Sequence, residues 1–233
     1  MRKALLLARR EIVEQYSDRG AAFRALFFIA LPIALVILNR GQGSRGFDAI
    51  VLLFALQAAL LPTATAINAA AGSFAAEKEA QTLVPLLAAP IRDIDIVAGK
   101  LTAVLAPAAG LAIVSLGAYD LAASTVFGEA RVGRLLTPAT LYGLFALAVF
   151  FIMTVGAWVM VVSARVGSQR TAQQIAGFVL GGMIVALSTI GGLLQDLPAT
   201  LVIWVVIAVL VSDLFALELA RRLWNREEAV ARL

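Results

Sequence analysis

Apolar residues run through this chain in long stretches rather than in alternation. Six of them, 23–39, 49–72, 101–122, 138–162, 174–194 and 199–219, approach the length of about 20 mainly apolar residues that a helix needs to cross a bilayer. A membrane β-strand would alternate apolar and polar positions over about ten residues, and these runs do not. The pattern predicts an all-α integral membrane protein with six transmembrane helices. Pro32, Pro62 and Pro107 fall inside the predicted spans. They predict kinks, because a membrane helix tolerates proline when neighbours satisfy the freed backbone groups.

The first 22 residues follow a different rule. Leu5, Ala8, Ile12 and Tyr16 recur at spacings of three and four, while Arg2, Lys3, Arg9, Arg10, Glu11 and Glu14 occupy much of the rest. Either an amphipathic helix at the membrane interface or an ordinary solvated helix fits that pattern. Attraction of its basic residues to anionic lipid favours the interfacial helix. MRKALLLARREIVEQY is too charged to hold the apolar core of a cleavable signal peptide. The expected organisation is an interfacial helix over 1–22, a six-helix transmembrane domain over 23–219 and a tail over 220–233.

Composition sharpens this picture. The chain is 61% hydrophobic and 15% charged, against about 45–50% and about 25% in soluble domains. It has no cysteine and no histidine, which excludes disulfides, thiolate nucleophiles, Cys/His zinc sites and histidine bases together. No metal site is expected. The net charge of +4 suits lysine and arginine gathered on the cytoplasmic side of a membrane, and no nucleic-acid partner is expected. With the N-terminus inside, only Arg40, Arg45, Arg131 and Arg134 of the 19 basic residues fall outside. That bias predicts both termini in the cytoplasm, an even number of spans, and residence in the inner or plasma membrane. Tyr119, Tyr142 and Trp204 fall near predicted outer ends and Trp158 toward an inner end, the interfaces these side chains favour.

The segment 74–100, FAAEKEAQTLVPLLAAPIRDIDIVAGK, interrupts the apolar pattern. It carries Glu77, Lys78, Glu79, Arg92, Asp93, Asp95 and Lys100 and joins the second and third spans on the predicted cytoplasmic side. Glu77 to Ala89 lacks glycine and suits a short helix, with Leu83, Leu86 and Leu87 on one face. Pro85 is tolerable in the first turn of such a helix, and Pro90 ends it. A polar turn, Arg92 to Asp95, then precedes a third span that begins at Gly99-Lys100. An exposed leucine ridge on a loop needs lipid, the rest of the chain or a second protein as partner. The residues alone leave all three open.

Glu77-Lys78-Glu79, then Thr82-Leu83, Leu86-Leu87, Pro90-Ile91 and Gly99-Lys100, resemble the cytoplasmic loop of ABC-2 type transporter permeases. That family shows E-x-x-x-x-T-L-x-x-L-L-x-x-P-[IV] followed by G-K, and Glu77 or Glu79 stands in the acidic place. The resemblance extends to the N-terminal amphipathic segment, six spans and both ends inside. It implies a permease subunit, an exporter by family, that works as a homodimer or paired permease with two separate ABC ATPase subunits. ATP and Mg would be bound on those partners, and this chain would hold no cofactor. The loop would be a coupling helix, with Glu77, Lys78, Glu79, Thr82, Leu83, Leu86, Leu87, Pro90 and Lys100 as its coupling residues. Two features depart from common family patterns. Residues 40–48 leave no room for a large extracellular insertion, and Gln195 to Pro198 is only a turn where re-entrant helices often stand. The compact form also resembles the membrane subunit of the cytochrome c maturation haem exporter, without a motif that selects that branch.

The sequence contains no G-x-x-x-x-G-K-[ST] phosphate loop, no H-E-x-x-H and no G-x-S-x-G. The chain is therefore not expected to be an enzyme in its own right. A membrane scaffold that recruits a different cytoplasmic partner is the alternative from another class. An enzyme acting on lipid is disfavoured by the lack of histidine, cysteine and clustered carboxylates. Polar residues inside spans are costly and often functional. Gln57, Asn68 and Asp213 are the candidates for lining a translocation path, whereas Thr63, Thr65, Thr154, Ser188 and Thr189 suit bonds to their own helices. Gly177 and Gly181 form a GxxxG spacing that permits close helix packing.

Overall fold

A computed structural model describes residues 2–16, 19–40, 47–79, 92–178, 181 and 199–223. Its helices are α1 (Arg2–Tyr16), α2 (Arg19–Leu38), α3 (Phe47–Leu60), α4 (Thr63–Glu79), α5 (Asp93–Phe127), α6 (Glu129–Val132), α7 (Pro138–Arg165), α8 (169–178) and α9 (Ala199–Leu223). Among the described residues there is no strand. Three helical stretches are long and apolar enough to cross a membrane: Phe47–Glu79, Asp95–Phe127 and Pro138–Arg165. Ala25–Leu38 is a shorter apolar helix.

Three membrane-length stretches are fewer than the six spans expected. The apolar part of α2 is short of a full crossing. Most of the expected fifth span, and residues 80–91 of the loop, lie outside the described residues. Other differences have local causes. The expected second span is two helices end to end, α3 and α4, with a turn at Leu61-Pro62. Pro62 cannot donate a backbone hydrogen bond and disfavours helical geometry at Leu61. The next helix restarts at once, with Thr65 Oγ1 donating to the Pro62 carbonyl at 2.7 Å. The expected polar turn Arg92 to Asp95 is instead the start of α5. Asp95 N and Ile96 N donate to the Arg92 carbonyl at 2.9 and 3.2 Å. Arg92 Nε also pairs with Asp95 Oδ2 at 2.9 Å, three residues on. That hydrogen bond pushes the exposed Arg92 guanidinium further up, though an exposed pair of this kind contributes little to stability.

The start of α7 follows standard capping chemistry. Thr137 Oγ1 accepts from Thr140 N at 3.2 Å, and Pro138 takes the first helical position, where its missing N–H costs nothing. Gly128, with φ of 92°, makes the break between α5 and α6, a conformation that favours glycine.

The chain divides into two units. The first comprises 1–9, 67–104 and 153–233; the second comprises 10–66 and 105–152. In the second unit, Val51, Ala55, Ala58 and Ala59 of α3 meet Ala112, Leu116, Tyr119 and Ala123 of α5, with Val36, Phe47, Val132, Leu136 and Ala148 completing the core. Spacings of three, four and seven put each set on one helix face. Small alanines bring the helix backbones close, as in membrane bundles generally. Tyr119 packs within this core. It is fully buried, and its hydroxyl donates to the Val51 carbonyl at 2.7 Å. Phe47 stacks edge-on against Phe127, centroids 5.1 Å apart, and Arg131 Cζ lies 3.6 Å from the Phe47 ring centroid.

Large apolar side chains face outward on α2 (Phe23, Leu26, Leu38), α5 (Ile113, Val114, Leu121) and α9 (Leu210, Leu214, Phe215). In water such exposure over three helices would drive aggregation; in hydrocarbon it costs nothing. On α1, Ala8 is buried while Leu5, Leu6 and Val13 are exposed.

Candidate functional site

The charged run that precedes residue 80 does not face away from the chain. Each of its three residues is fastened to a different helix of the first unit. Glu77 Oε1 accepts from Lys100 Nζ of α5 at 2.8 Å. Lys78 Nζ donates to the Ala164 carbonyl and, at 3.4 Å, to that of Val166. Glu79 Oε2 accepts from the backbone N–H of Gln169 at 3.2 Å.

The signs of these contacts follow from helix ends. The last carbonyls of a helix have no intrahelical donor and carry partial negative charge, and the first N–H groups carry partial positive charge. Lys78 takes the C-terminal carbonyls of α7, where a cation is favoured. Glu79 takes an N-terminal amide of α8, where an anion is favoured. Ser168 caps the same terminus, accepting from Thr171 N at 3.2 Å. The turn between α7 and α8 is thus gripped by two adjacent, opposite charges on α4. Asn68, one of the path candidates, also ties α8 to α4: its Oδ1 accepts from Gln173 Nε2 at 3.1 Å.

Lys100 is the buried centre of the arrangement, with side-chain exposure of 1%. Besides Glu77, its ammonium donates to the Ser73 carbonyl of α4 and lies 5.2 Å from the Phe74 ring centroid. Burial of an ammonium is tolerable only when a counter-charge and hydrogen bonds replace water, and these contacts supply both. Ser163 of α7, also buried, lies against the same turn of α4. Its hydroxyl accepts from Phe74 N and Ala75 N at 3.1 and 3.0 Å and donates to the Ala71 carbonyl at 2.7 Å. Further down, α7 and α5 approach closely. A Cβ on Gly156 would stand 3.1 Å from Val104 Cγ1.

Four of the expected coupling residues, Glu77, Lys78, Glu79 and Lys100, therefore have partners within the chain. Thr82, Leu83, Leu86, Leu87 and Pro90 lie outside the described residues. The three path candidates are not brought together. Gln57 is exposed on α3, Asn68 is part of the α4–α8 tie, and Asp213 is buried on α9 beside Thr154. Among the described residues, no atom lies within 4 Å of where a Cβ on Gly177 or Gly181 would stand.

Sequence reasoning missed Ser163 and Gln173. Ser163 carries no motif; one small hydroxyl near a span end reads as a bond to its own helix. A stronger signal was available for Gln173: an amide there and Asn68 are both out of place in apolar helices, and each needs a partner.

Among the described residues no group of acidic side chains could hold a metal ion. The described contacts form one cluster. It joins the end of α4 and the start of α5, the two helices that flank residues 80–91, to α7 and α8. Comparison with known proteins finds no family model that matches the chain and no curated protein that matches it.

Proposed function

We propose that the chain is the transmembrane permease subunit of an ATP-driven transporter of the ABC-2 type. In this reading it crosses the inner or plasma membrane six times with both termini in the cytoplasm. It pairs with a second permease subunit and exports its substrate, and the loop 74–100 couples it to a separate ATPase, which binds the ATP and Mg.

The observation that carries the reading is the mounting of that segment. Glu77, Lys78 and Glu79 are tied to α5, α7 and α8 respectively. A force delivered to the end of α4 would pass through these contacts to three further helices, as a subunit driven by an external motor requires. The Thr82-Leu83, Leu86-Leu87 and Pro90 pattern supplies an apolar ridge at the point where the force would enter. Charges committed inside the chain leave docking to the leucines.

The test is recovery of the protein from its native membrane in mild detergent, followed by mass spectrometry of what accompanies it. The expected result is an ABC ATPase at a one-to-one ratio with this chain. Stoichiometric recovery of a different cytoplasmic protein, with no ATPase, would favour the scaffold reading.

A further inference from the structure

Asp213 lies fourteen residues into α9 and is fully buried. Its Oδ2 accepts from Thr154 Oγ1 at 3.0 Å, and its Oδ1 is buried with no hydrogen-bond partner among the described residues. Thr154 lies deep within α7, one of the membrane-length helices. Eleven residues separate it from Arg165, about 16 Å of helix, and a longer stretch separates it from Pro138. The carboxyl is therefore far from both helix ends.

Among the described residues, no charged side chain pairs with it. On α7 the only charged residue is Arg165. On α9, Glu218 and Arg222 pair with each other at 2.8 Å, and Arg221 stands about two turns beyond Asp213. The neighbouring bridge between the same helices is neutral, with Trp158 Nε1 donating to Ser212 Oγ at 3.2 Å. Ala157, Val161, Ala216 and Ala220 pack into a tight apolar seam beside it. A carboxylate needs several donors or a cation to replace its hydration. One threonine hydroxyl is too little for an anion, and it suffices for a neutral acid.

We propose that Asp213 and Thr154 form a proton-binding site inside the membrane, in which Asp213 carries a proton while α7 and α9 are packed together. If the two helices part, water reaches Oδ1, the O–H bond breaks, and the proton passes to that water, leaving a carboxylate. The site is a chemical sensor of the α7–α9 contact. It does not depend on the ATPase reading, because it rests only on the burial and partners of one carboxyl.

Infrared spectroscopy of the purified full-length protein in lipid nanodiscs at neutral pH tests this. Wild type is expected to show a carbonyl stretch of a neutral carboxylic acid that Asp213→Asn lacks. Thr154→Val, which keeps the acid and removes its hydrogen-bond donor, should shift that band to higher frequency. If Asp213→Asn does not fold, the Thr154→Val shift carries the test alone. A wild-type spectrum without the band, a band retained in Asp213→Asn, or a band unmoved by Thr154→Val would overturn the proposal.

Discussion

Replacing Lys100 by alanine is expected to destabilise the folded chain by about 3 kcal/mol, the usual scale for breaking one side of a buried ion pair. The change removes the counter-charge of Glu77 and the donor to the Ser73 carbonyl together. Most of the cost is the carboxylate left behind, not the attraction lost. Replacing the whole pair, Glu77→Gln with Lys100→Met, is therefore expected to be milder than Lys100→Ala alone, since uncharged isosteres often substitute for a buried pair at little cost. The two sites are in contact, so their effects will not add. Thermal unfolding in detergent of the single and double variants checks this. A Lys100→Ala protein that melts with wild type would show that the ammonium is not buried as described.

The second large effect is expected at Ser163, and there the direction depends on size. Ser163→Ala removes three hydrogen bonds, but the cost should be only about 1 kcal/mol. Phe74 N, Ala75 N and the Ala71 carbonyl belong to α4, and each has a helical partner four residues away to fall back on. Ser163→Leu forces three extra carbons between α4 and α7 where the side chain is fully buried. Overpacking of that kind typically costs about 1–3 kcal/mol, and here it also parts the helices that Lys78 joins. Ser163→Leu is thus expected to melt well below Ser163→Ala. Equal melting of the two would mean that α4 and α7 are not in close contact at this turn.

Much of the helical pattern was legible because a bilayer imposes long apolar runs. The ends of α7, at Pro138 and Arg165, lie close to the sequence reading because Thr137-Pro138 is a capping signal and a charge closes the run. The break at Leu61-Pro62 was visible as a proline, but proline in a membrane helix can kink or end it, and the choice depends on neighbours. The polar start of α5 was read as a turn because three polar residues in four, Arg92, Asp93 and Asp95, resemble one. The Arg92–Asp95 pair and the backbone bonds to the Arg92 carbonyl place them in a first helical turn.

The candidate site was legible in part for a similar reason. The sequence marked Glu77, Lys78, Glu79 and Lys100 as out of place in an apolar chain. It could not say that the charges answer helix termini at Ala164 and Gln169, because those termini are 85 to 90 positions away along the chain and are recognised through backbone groups that every residue carries. Asp213 was legible as an anomaly from composition alone. Its solitary bond to Thr154 required the packing of α9 on α7.

We propose that the loop 74–100 couples this chain to an ABC ATPase, with Leu86 and Leu87 on the docking ridge. The most direct test is co-purification from native membranes of wild type beside Leu86→Asp/Leu87→Asp, with monodisperse elution and unchanged melting as the control for folding. The account predicts that wild type brings an ABC ATPase and the variant brings at most a tenth as much. A folded variant that retains the ATPase at the wild-type ratio would contradict it.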